Sequence, residues 1–226
     1  MLLLSLFLVN CSTDKNKDAN QLPEIQAPIS SATTKDSSTA KPAELPLAEI
    51  PIVTIKDTTP THVKIGLSYV GVKEATGHND GKEVEMFLKS VGRRKGDSWC
   101  AAYGSFTLTE ANKISTILSP TIRSGLAQAF KKDKNTVEVG RIFDRKNRVR
   151  QGDILIWQNG NLSTGHWAMA IEDWDYTKGK TVEGNTSSGK SGSQSDGDGV
   201  YIRTRTILKT AYFRIKWKVP VIYKKG

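Results

Sequence analysis

The sequence predicts an α+β domain behind a long polar leader. Apolar residues recur at helical spacing between residues 62 and 112, and from residue 152 onward short strand-like runs alternate with Gly, Asn and Ser turns. Helices followed by consecutive strands, without βαβ alternation, favour an antiparallel sheet with the helices packed on it. The composition, 37% hydrophobic and 25% charged over 226 residues, suits one good-sized domain plus a tail. No apolar run approaches the roughly 18 residues that span a bilayer.

Each element has its own signal. HVKIGLSYVGVKEA (62 to 75) and GKEVEMFLKSVG (81 to 92) read as helices; in the second, Val84, Phe87, Leu88 and Val91 form an i, i+3, i+4, i+7 stripe and Gly92 is a stop. ATGHNDG between them has turn chemistry, and its Asn79, Asp80, Glu83 and Glu85 are read as that rather than as a calcium loop. A third helix is expected from Ser98, capped by Ser98 or Asp97, to about Asn112, with Cys100 in its first turn. About five strands follow: GDILIWQ (152 to 158), GHWAMAIEDWD (165 to 175), KTVEGN (180 to 185), GVYIRTR (199 to 205) and WKVPVIYK (217 to 224). Pro220 calls for an edge or an end in the last. The Gly/Ser/Asp run at 186 to 199 reads as a mobile loop, Trp157 and Trp167 as core, and His62 and His78 as surface residues without a role.

The N-terminus, MLLLSLFLVNC, sets eight apolar or small residues, Leu2 to Val9, before Asn10 and Cys11. It resembles a bacterial lipoprotein signal (1 to 11), which implies a lipid on Cys11 after cleavage. Residues 12 to 60 are rich in Ser, Thr, Pro, Lys and Ala without hydrophobic periodicity, and read as a disordered tether to a domain at 61 to 226. The tether carries five lysines against seven acids, which leaves 28 basic and 16 acidic residues in the domain, a net of +12. A basic domain fits an anionic partner. Nucleic acid is not expected, because the basic residues are scattered (KKDK at 131 to 134, RKNRVR at 145 to 150) without a reader motif.

Of the two cysteines, only Cys100 lies in the domain. If Cys11 is lipidated, Cys100 is a free thiol in an exported protein, where such thiols tend to be oxidised, so its retention calls for a reason. A cysteine in the first turn of a helix sits among unpaired N–H groups, which favour the thiolate and can hold an oxyanion. It still needs a base and a group to orient that base. His166 is the candidate base; alternation puts His166, Ala168 and Ala170 on one face, leaving room for substrate or for the Cys100 helix. Glu183 and Asn185, i and i+2 on the next strand, share a face, and either can accept the imidazole N–H.

GDSWCAAYGSF, GDILIW, GHWAMAIEDW and VEGNTSSG, in that order, resemble the cysteine- and histidine-dependent amidohydrolase/peptidase (CHAP) family, a branch of the papain-like cysteine peptidases. The resemblance covers roughly residues 66 to 224. It implies a papain-like fold, Cys100 as nucleophile, His166 as base, and Glu183 and Asn185 as polar partners, with Glu183 favoured as the orienter for its charge. It also implies cleavage of a peptidoglycan amide bond through a thioester, with no metal or other cofactor. Trp99 and Gly165, each beside a catalytic candidate, are candidate substrate contacts, though for Trp99 packing of the helix start against the sheet is the favoured role. The expected protein is a monomeric, lipid-anchored cell-envelope hydrolase, outer membrane rather than inner because Ser12 and not Asp follows Cys11. The competing readings are a non-catalytic envelope-binding lipoprotein on the same fold and a secreted cysteine amidase acting on another amide.

Overall fold

A computed structural model describes residues 58–139, 148–175, 177–189, 197–207 and 215–224, all within one compact unit. The expected signal, Cys11 and nearly all of the tether lie outside the described residues, as does the centre of the Gly/Ser loop, 190–196.

Three helices, α1 (Thr61–Ser68), α2 (Lys82–Ser90) and α3 (Cys100–Ile114), come before the strands. These are β1 (Ile117–Ser119), β2 (Val137–Glu138), β3 (Ile154–Trp157), β4 (Trp167–Ala170), β5 (Lys178–Thr186), β6 (Gly199–Thr206), β7 (Ile215–Val219) and β8 (Ile222–Tyr223), with a 3₁₀ helix at Ala127–Lys132. Six strands pair antiparallel in the order β2-β7-β3-β4-β5-β6, and β1 pairs with β8. The architecture is therefore α+β, with a six-stranded sheet rather than about five strands. WKVPVIYK is two strands in two sheets, divided at Pro220, whose missing N–H cannot continue the ladder.

Alternation along the strands builds a core on each face of the sheet. Ile154, Ile156, Trp167, Met169 and Val182 pack with Val63, Phe87, Leu88, Tyr103 and Leu108 of the helices. Leu155, Trp157, Ala168 and Ala170 pack with Val149, Trp174 and Ile207. The partition of the GHWAMAIEDW run follows the expected period, but α3 approaches the bulky side, not the alanine side. The space is made in the helix: a Cβ on Gly104 would overlap the Trp167 indole.

Two helix limits differ from expectation. α1 ends at Ser68, and Gly71 (φ +95°) turns the chain along β6, where Gly71 N–H donates to Val200 O and Glu74 N–H to Asp198 O. α3 starts at Cys100 with Trp99 as N-cap and no side-chain cap; Asp97 instead accepts from Arg94 N–H. His62 is not a surface residue. It is 1% exposed, its Nε2–H donates to Gly152 O (2.8 Å) and the Tyr223 hydroxyl meets Nδ1. His78 is exposed, as expected.

Candidate active site

Four consecutive strands of the meander each bring one residue to a single point. Trp157 comes from the end of β3, His166 from the residue entering β4, Glu183 from β5 and Arg205 from β6. The start of α3 brings Cys100. His166 is 2% exposed and its Nε2–H donates to Glu183 Oε2 at 2.9 Å. Its other ring nitrogen, Nδ1, is buried without a well-formed hydrogen bond, and the Cys100 thiol lies close enough to act on the ring. Burial is the largest single influence on this imidazole and opposes its charge. The side-chain interactions and charges of Cys100 and Glu183 together outweigh burial and raise its pKa to about 9. At neutral pH the ring is an imidazolium that can give up a proton.

Glu183 is fully buried. Desolvation alone would protonate it, but Arg205 and His166 hold it well below the usual carboxylate range. Arg205 grips both oxygens, Nε–H on Oε1 at 2.7 Å and Nη2–H on Oε2, and the Thr181 hydroxyl donates to Oε1 at 2.6 Å. The Trp157 ring lies against the imidazole, centroids 5.5 Å apart and tilted 59°. Of the two candidate orienters, Glu183 is the one at His166.

Asn185 is elsewhere. The β5–β6 register shifts between Glu183 and Thr186, and Asn185 adopts φ +52°, so the alternation that would put it beside Glu183 is broken by a bulge. Its carboxamide oxygen accepts from Trp99 N–H (3.2 Å), while its nitrogen donates to Gly197 O (2.9 Å) and Asn79 Oδ1 (3.3 Å). Asn185 thus ties down the Ser98–Trp99 peptide just ahead of Cys100. Helix geometry leaves the N–H groups of Cys100, Ala101 and Ala102 without intrahelical acceptors, a donor cluster at the thiol.

Trp99 is no substrate contact: it is fully buried, stacks on Phe87 (5.9 Å, 25°) and donates from Nε1 to Glu74 Oε1 at 2.8 Å. Gly165 is half-buried, and a Cβ there would strike the Trp157 carbonyl and Gln128 Nε2, so it lets the chain entering His166 lie close to β3. In the ATGHNDG turn, Asp80 accepts from Thr76 N–H and Oγ1, Asn79 donates to Gly96 O, and Glu85 pairs with Lys95. Among the described residues no group of three or more His, Cys, Asp or Glu side chains could hold a metal ion. Sequence reasoning missed Glu74, Thr181 and Arg205; Thr181, two residues before Glu183, was the one signalled by period.

No family model matches the chain, and no curated protein matches it.

Proposed function

We propose that this chain is a cysteine amidase or peptidase of the papain-like superfamily, of the CHAP type, and that it cleaves an amide bond of peptidoglycan. The observation that carries the reading is the imidazole of His166, held through Nε2 by an ionised, buried Glu183 with Nδ1 free on the side of Cys100. Cys100 Sγ attacks the amide carbonyl, and the oxyanion is met by N–H groups at the start of α3. His166 Nδ1 protonates the leaving amine. Water, deprotonated by the same nitrogen, then hydrolyses the thioester and restores the thiol. The order of motifs supports peptidoglycan as substrate, as does the net charge of +12 on residues 61 to 226, which suits an anionic envelope. The Leu2–Cys11 run supports attachment through a lipid on Cys11, and Ser12 after it supports the outer membrane; the proposed protein acts as a monomer.

The test is digestion of purified peptidoglycan by the full chain with Cys100→Ala in parallel, and mass spectrometry of the released fragments. Soluble fragments from the parent and none from the variant are expected, and their masses name the bond. Equal release by both would overturn the cysteine mechanism; release by neither, under reducing conditions, would overturn peptidoglycan as the substrate.

A further inference from the structure

We propose that Arg205 is a positioning residue for the chemistry of Cys100, acting through Glu183 on the His166 ring; this rests on the reading of Cys100 and His166 as nucleophile and base. The guanidinium touches two of the groups that surround the imidazole. Its fork takes both oxygens of Glu183, and its central carbon lies 5.5 Å from the centroid of the Trp157 ring, which in turn packs on His166. A carboxylate wholly removed from water keeps its charge only beside compensating cations, and the other one here, His166, owes part of its own charge to an ionised Glu183. Water cannot take that place, because Glu183 is fully buried and Arg205 only 8% exposed.

The other groups facing Glu183 do not replace Arg205. Thr181 on its own strand supplies one neutral hydroxyl, and Tyr103 of α3 is a buried phenol bonded to Gly66 O. Arg203, the second cation of β6 near this carboxylate, donates to Ser187 O at 2.5 Å. His166 is the group being positioned, and Cys100 faces it from the other side. A lysine at 205 would bring charge without the planar fork that fixes both oxygens at once.

The test needs no cell-wall substrate. In the full chain carrying Cys11→Ser, Cys100 is the only thiol, and its alkylation by iodoacetamide is followed by mass spectrometry between about pH 4 and 9. Circular dichroism reports folding. Arg205→Met is expected to move the reactive limb upward by at least about one pH unit, roughly a tenfold loss of rate below it. Arg205→Lys should fall between. The double variant Arg205→Met/Glu183→Gln strands neither carboxylate nor guanidinium and should be no slower than Glu183→Gln alone, since Arg205 acts through Glu183; this pair carries the test where Arg205→Met does not fold. An unmoved profile in folded Arg205→Met, or a double variant about tenfold slower than Glu183→Gln, would overturn the positioning role alone. A parent limb near about pH 8.5, that of an ordinary thiol, would overturn the activated nucleophile itself.

Discussion

His166 and His62 are both buried and both meet partners on each side of the ring, yet they are held in opposite charge states. Burial disfavours the imidazolium at both. At His62 it dominates, assisted by the charge of Arg123 against the weaker pull of the Gly152 carbonyl, and the pKa falls to about 4. At His166 the partners are a thiol and an ionised carboxylate, and the pKa rises to about 9. The His62 ring is a neutral strut between α1, Gly152 and β8; the His166 ring is a charged one with a proton to give. Burial depth is the same in the two cases, so the anion beside the ring decides which of these a buried histidine becomes.

Removing that anion should have the largest effect. Glu183→Gln is expected to lower amide hydrolysis by about 10²–10⁴-fold, the range associated with a positioned acid–base group. Imidazole titration by NMR should show His166 falling from about 9 to below 6.5 while His62 is unmoved. A pKa that stayed near 9 would assign the charge to Cys100 alone.

The two rings should also pull stability in opposite directions with pH. His62 stays neutral in the fold, so the stability this confers is full above the unfolded-state value of 6.5 and is lost as pH falls toward about 4. At about 1.4 kcal/mol per pH unit that loss is roughly 3 kcal/mol. His166 contributes fully below 6.5 and loses its contribution as pH rises through about 9. Urea unfolding of His62→Gln from acid to alkaline pH should flatten the decline between 6.5 and 4 and leave the alkaline decline in place. The remaining acid loss belongs to the carboxylates held below their usual range, Glu183 together with Asp80 and Asp173.

Gly104→Ala sharpens the comparison from the packing side. The added methyl meets Trp167 and should cost about 1–3 kcal/mol in thermal unfolding. Because α3 carries Cys100, the His166 titration should shift in this variant and the His62 titration should not. The smallest effect is expected at Tyr223→Phe. It takes the hydroxyl from His62 Nδ1 and should cost about 1 kcal/mol in urea unfolding while hydrolysis is retained.

Much of this arrangement was legible in the residues. The amphipathic stripe of α2, the strand periods after residue 152 and the place of Cys100 in a first helical turn all follow from local rules of spacing and stop residues. Those same rules misplace Asn185, since strict alternation puts it beside Glu183 and a bulge with φ +52° turns it to the Trp99 N–H ahead of Cys100. They misplace His62 for a related reason: exposure depends on what a segment packs against, and Tyr223 is no sequence neighbour of His62.

What the sequence determined by itself is therefore the α+β class of the fold and the identity of the candidate groups, because period, turn residues and side-chain chemistry are local properties. Which groups meet was decided by the tertiary structure. Arg205 lies 22 positions from Glu183, and Glu183 lies 17 from His166. Their contact depends on antiparallel register across neighbouring strands, and register is settled only when the two faces of the sheet are buried together.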